Sequence, residues 1–167
     1  TAHLARLGRR RILFLGDSEA PEAEQRLRGY RQALGEAGIA FDDDLILPAH
    51  FEVHSAEAAV RSAVARGLRF DAVFAASDLI AIGAIRALTR SGLRVPEDVS
   101  VVGYDNIPAA RLVTPQLTTI DQDANLAGRM LVSKLIDKGE LKEQLDQLRA
   151  VERSIIERGQ QSQTKKP

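Results

Sequence analysis

Short apolar runs alternate with amphipathic blocks along this chain, and that alternation constrains its fold more than any other feature. Residues 11–16 (RILFLG), 44–48 (DLILP), 71–77 (DAVFAAS), the end of 94–105 (RVPEDVSVVGYD) and 116–121 (QLTTID) predict five strands. Residues 21–38, 55–67, 78–92 and 123–139 predict helices. Leu27, Tyr30, Leu34 and Ala37 share one face of the first, and Ala81, Ile85 and Leu88 one face of the third. Ala124, Ala127, Leu131 and Leu135 do so in the last. Pro21 suits a first helical turn and Gly38 a helix end. Ser55 is read as an N-cap and Gly67 as a terminator. Strands and helices in turn, joined by short links, build βαβ units. The expected fold is therefore α/β, a doubly wound, mostly parallel sheet with helices on both faces.

Such sheets bind ligands beyond the carboxyl ends of their strands. That rule gives meaning to an oddity at SVVGYDN (100–106), where an apolar strand ends in a carboxylate and an amide, with Pro108 close behind. Asp105 and Asn106 stand where a ligand is expected. So do Asp17 and Ser18 after the first strand, and Ser77 and Asp78 after the third.

The bulk numbers exclude several classes. Lys and Arg together number 23, as do Asp and Glu, so the chain has no basic excess with which to grip nucleic acid by itself. There are no cysteines, and His3, His50 and His54 lack metal-ligand spacing, so neither a metal nor a cofactor is expected. No apolar run approaches the roughly 20 residues that span a bilayer, and no signal peptide is present. The patterns G-x-S-x-G, G-x-x-x-x-G-K-[ST] and G-x-G-x-x-G are missing, which argues against an enzyme. A phospho-receiver would use Asp17 and Asp78, but Asp78 begins a helix and the fifth strand offers no late lysine. GRRR (8–11) is read as a solvated strand edge rather than a DNA contact.

Residues 76–123 carry a more specific signal. SDLIAIGAIRAL, GLRVPEDVSVVGYDN and PQLTTI, in that order, resemble the effector-binding core of the LacI/GalR family of bacterial transcription regulators. HLARLGRRRILFLG (3–16), RLRGYRQALGEAGI (26–39) and IIERG (155–159) are similar to the same family in the same order. The resemblance implies a periplasmic-binding-protein-like domain over 1–159. Residues 1–121 and about 153–159 would form its C-terminal subdomain. The segment 122–148 would belong to the N-terminal subdomain, and 160–167 would be a polar tail. Nothing in the chain resembles the family's helix-turn-helix, so DNA would be reached only through such a head outside these residues. The implied protein is a cytoplasmic homodimer that senses a small effector, a sugar or sugar derivative. A periplasmic sugar-binding protein of a transport system is the alternative.

The resemblance also assigns candidate residues, each with a plainer reading beside it. Arg26 matches the arginine of RLRGY that reaches the effector, and could instead be a solvated helix arginine. Asp105 matches the aspartate of GYD, where a carboxylate can accept two hydroxyl protons, and could instead cap a turn. Asn106 reads as a turn residue. Ser77 replaces the family's usual asparagine; it either touches effector or caps the helix. Asp78 reads as structural. Gln122 either contacts the cleft at the crossover or starts a helix, and Ala124 stands where some relatives place a stacking aromatic. Asp17 and Ser18 form a pocket rim or an N-cap. Ile82, Leu112 and Val113 are candidates for a dimer interface, while Ile85 reads as core. The last helix should need a partner for Leu131 and Leu135. It would swap onto a neighbouring chain, fold onto its own sheet or be disordered.

Overall fold

The apolar runs do become strands, and they are buried end to end. The structure is a computed structural model that describes residues 1–17, 19–136 and 154–156. Strand β1 (Ile12–Gly16) and strand β3 (Ala72–Ala75) are buried at every position, the pattern of a central strand covered on both faces. With β2 (Ile46–Pro48), β4 (Ser100–Asp105), β5 (Thr118–Asp121) and β6 (Ser154–Ile156) they form one sheet of order β2-β1-β3-β4-β5-β6. The pairs from β2 to β5 are parallel, and β6 runs antiparallel to β5, with Thr119 opposite Ile156.

The helices are α1 (Ala2–Arg6), α2 (Pro21–Glu36), α3 (Val53–Ala65), α4 (Asp78–Arg90) and α5 (Ala124–Ile136). The crossover through α2 runs from β1 outward to β2. Those through α3 and α4 run the opposite way across the sheet. Right-handed crossovers therefore put α2 on one face and α3 with α4 on the other. Packing agrees: α1 rests on α2, and α3 rests on α4. Gly83 allows that second contact, because a Cβ there would run into the Val53 carbonyl and the Ala56 methyl of α3.

The α2 face of the core is aromatic. Phe14 packs against Tyr30 and Phe74 with ring centroids 5.6 and 5.7 Å away. The Tyr30 hydroxyl donates to the Ile12 carbonyl at 2.8 Å, and burial pushes its pKa up to about 12.

Several expectations need correcting in detail. The helix predicted over 55–67 starts at Val53, with Glu52 as its N-cap residue. The Ser55 hydroxyl accepts from the His50 N–H at 3.0 Å, which satisfies the incoming loop and not the helix. The strand predicted from Asp44 begins at Ile46. The acidic Asp43–Leu45 forms a 3-10 turn capped by the Asp42 carboxylate, which accepts from the Asp44 N–H. GRRR is a largely exposed strand edge, as expected, and it is also hydrogen-bonded in place. The Arg10 and Arg11 backbone N–H groups donate to the Asp71 carboxylate at 2.8 and 3.0 Å, and the Arg9 guanidinium donates to the Pro96 carbonyl at 2.7 Å. Residues 137–153, the tail 160–167 and Ser18 lie outside the described residues.

Candidate functional site

Strand order sets where a site can form. The chain leaves β1 toward β2 and leaves β3 toward β4, so the sheet's topological switch lies between the carboxyl ends of β1 and β3. Asp17 follows β1, Ser77 follows β3, Asp105 ends β4 and Gln122 follows β5. All four predicted positions therefore lie at one end of the sheet, and Arg26 reaches that end from α2.

Two of the predicted residues, Arg26 and Gln122, meet on a third, Asp105. The Arg26 guanidinium lies over the Tyr104 ring, 3.9 Å from its centroid, and donates to the Ala76 carbonyl. It faces the Asp105 carboxylate at 3.7 Å, the two side chains being 13% and 29% exposed. The Gln122 amide donates to Asp105 Oδ1, the same oxygen that Arg26 faces. Burial pushes the Asp105 carboxyl up. The Arg26 charge, the Gln122 amide and the Asp78 backbone N–H pull it back. Asp105 and Asn106 both have positive φ, 117° and 59°, a strained backbone for residues other than glycine.

Arg26 and Gln122, but not Asp105, also line a groove of about 930 Å³. Its floor is the sheet face of Phe74, Tyr104 and Ile120, and its walls are α2, including Gln25, Gly29 and Gln32, and the α1 segment of Ala2, His3 and Arg6. A smaller hollow of about 560 Å³ lies at the amino end of the sheet between Leu68, Phe70 and Leu93. The larger groove combines an apolar floor with convergent polar groups, which is the usual make-up of a small-molecule site.

The other candidates fall elsewhere. Ser77 is buried, and its hydroxyl accepts from the Ile80 N–H at 3.2 Å, the geometry of a helix cap. Asp17 does not cap α2, whose N-cap residue is Ala20. It accepts from the Glu19 N–H at 3.0 Å and pairs with His50 Nδ1 at 2.9 Å. That contact raises the His50 pKa and lowers that of Asp17. Ile82 is half-buried on α4, where Leu79 on the same outer face is exposed. Leu112 is 83% exposed, whereas Val113 leans on the core. Leu131 on α5 is 58% exposed, and the Leu135 side chain lies outside the described residues.

Sequence reasoning missed Tyr104 and Thr119. Tyr104 stands between two noticed residues, but its partner Arg26 is distant in the chain, so no local spacing points to the stack. Thr119 is read only as a strand residue, yet its hydroxyl donates to Asp78. No group of three His, Cys, Asp or Glu side chains among the described residues could hold a metal ion, and no helix there is long and apolar enough to cross a membrane.

A mostly parallel sheet with helices on both faces and polar residues beyond the carboxyl ends of its strands is a layout that commonly binds small molecules there. The periplasmic binding protein-like domain matches residues 1–159, and the chain belongs to that family, in the form carried by LacI-family regulators. It is 42% identical over 139 residues to the HTH-type transcriptional regulator CelR of Thermobifida fusca, covering 83% of this chain and 41% of that protein. It is 37% identical over 139 residues to the ribose operon repressor of Haemophilus influenzae, covering 83% and 42%. The chain thus spans less than half the length of these relatives. Among solved structures, a sugar-binding LacI-family regulator from Escherichia coli complexed with phosphate superposes with TM-score 0.82 at 31% identity, over 95% of this chain and 57% of that one. The CelR–cellobiose complex superposes with TM-score 0.80 at 34% identity, over 95% and 49%.

Proposed function

We propose that this chain is the ligand-sensing part of a bacterial DNA-binding transcription regulator. It would take a small, neutral carbohydrate effector at the carboxyl end of its sheet and thereby modulate operator binding by a separate DNA-binding head. The observation that carries the reading is the Arg26–Asp105–Gln122 cluster. A guanidinium and a carboxylate that balance each other favour an uncharged ligand with paired hydroxyls. Each charge-assisted bond to such a ligand is worth roughly 1.5–3 kcal/mol.

The HTH-type transcriptional repressor PurR of Serratia proteamaculans is also similar to this chain, at 40% identity over 133 residues. The floor of this groove favours a sugar over a flat base, because the Tyr104 face is already covered by Arg26. The regulators among the relatives favour this reading over a periplasmic transport receptor, and a cytoplasmic location and an absence of enzymatic chemistry go with it. Residues 1–121 with about 153–159 would form one jaw of the clamp. The segment from 122 would cross to the other, with Gln122 at the crossing. A homodimer would form over Ile82, Leu112 and Val113.

The test is calorimetric titration with a panel of cellobiose, ribose, hypoxanthine and guanine. A sugar should bind, and Arg26→Ala and Asp105→Ala should each weaken it at least about tenfold. Tight purine binding that survives both substitutions would overturn the sugar reading.

A further inference from the structure

Asp105 owes its aim to a backbone that ordinary residues avoid. Its φ of 117° lies outside the left-handed well that Asn106 occupies at 59°, so its surroundings must hold it there. The groups that do so converge on Asp78. Its carboxylate accepts from the Ile107 N–H at 2.9 Å and from the Thr119 hydroxyl at 2.5 Å. The Asn106 N–H is also bonded to it. The exchange is reciprocal, because the Asp105 carboxylate takes the backbone N–H of Asp78. Thr119 closes the ring by accepting from the Asn106 N–H at 3.4 Å.

Two further facts separate this role from ordinary helix capping. The cap of α4 is already supplied by Ser77. Asp78 is 0% exposed, so it cannot touch a ligand itself. Gly103 on β4 belongs to the same arrangement, since a Cβ there would collide with Asp78 Oδ1.

We propose that Asp78 is a positioning residue of the effector site. Its buried carboxylate ties the 105–107 turn to the start of α4 and the end of β5, and so fixes where the Asp105 carboxylate stands before a ligand arrives. This rests on the reading of Asp105 as an effector contact. It assigns a task to a residue that sequence alone marks only as structural.

The test uses the isotopically labelled 167-residue chain. The readouts are hydrogen exchange of the Asn106 and Ile107 amides, the carboxyl carbon resonance of Asp105, and the affinity for cellobiose. In Asp78→Ala the two amides should exchange at least about tenfold faster and the Asp105 carboxyl signal should move. Amides of Leu13 and Val73 should keep their protection. Asp78→Asn, which keeps the shape, and Thr119→Val, which removes one donor, should show the same changes in smaller measure. These two variants decide the matter if Asp78→Ala does not fold. Cellobiose affinity should fall in the same order. Unchanged Asp105 and amide signals in Asp78→Asn and Thr119→Val would overturn the proposal. A mobile turn with undiminished cellobiose affinity would do so too. If the unaltered chain, one jaw of the clamp, does not take cellobiose, the turn signals alone decide the role of Asp78.

Discussion

Arg26 does three things at once: it covers the Tyr104 ring, donates to the Ala76 carbonyl and faces Asp105. Only a planar, multi-donor cation can do this, so lysine is no substitute there. Asp78 shows the opposite economy, since it is buried and ionisable without a cation beside it. Burial lifts its pKa from 3.8 to about 6. The Thr119 and Ile107 hydrogen bonds work against that shift, and Asp105, the charged group facing it from β4, adds to it. The folded pKa is raised, so the contribution to stability is complete below pH 3.8 and is lost as pH rises through about 6. The loss is on the order of 3 kcal/mol for a shift of this size. Asp78→Asn should abolish it. Urea unfolding at pH 3.5 and pH 7 should show a smaller fall in stability for the variant, and equal falls would mean that Asp78 does not titrate in this way. Individual residues were legible in the sequence only in part. Arg26 and Asp105 stand out through the wording of RLRGY and GYD, and the structure brings them together. Asp78 stands out only as a residue after the third strand, because its partners lie on β5 and in the turn after β4. Ser77 looked open to two roles because a hydroxyl serves equally well as a cap or a ligand contact, and burial is what separates them.

At the scale of elements, α3 and α4 meet where a side chain is missing. A methyl group at position 83 would press on the Val53 carbonyl and the Ala56 methyl. Helix propensity favours alanine over glycine by up to about 1 kcal/mol. The steric cost of overpacking, typically about 1–3 kcal/mol, wins because a backbone carbonyl cannot turn aside. Gly83→Ala should therefore destabilise the fold by about that amount. Gly35→Ala on α2, where nothing lies within reach of a Cβ, should stabilise it by about 0.5–1 kcal/mol. Chemical denaturation of both variants checks the pair of signs. The alternation of elements was legible because burial on both faces makes β1 and β3 continuously apolar and gives each long helix a clear period. Short elements were not. The five residues of α1 are too few to show a period, and Asp44 and Leu45 read as strand because their turn is held by an Asp42 cap rather than by a hydrophobic pattern. The antiparallel sense of β6 follows from chain path, which no local pattern records.

For the molecule as a whole, two apolar points stand out from a surface with no net charge. Leu112 lies between β4 and β5, and Leu131 lies on α5. Covering a large apolar side chain is worth roughly 1.5–3 kcal/mol, so neither exposure comes free. A net charge of zero also leaves no overall repulsion to oppose pairing of two copies. The two points call for different partners. On the reading above, Leu112 together with Ile82 and Val113 faces a second copy, whereas Leu131 faces the other jaw of the clamp. Leu112→Asp changes an 83% exposed side chain and should leave stability within about 0.5 kcal/mol. It should move the chain from dimer to monomer in sedimentation velocity. Leu131→Asp should leave that equilibrium where it is. If Leu131→Asp dissociates the dimer and Leu112→Asp does not, the copies are joined by exchange of α5 and not by the surface around Leu112. The helix that sequence alone marks as needing a partner would then have found it in a second copy of itself.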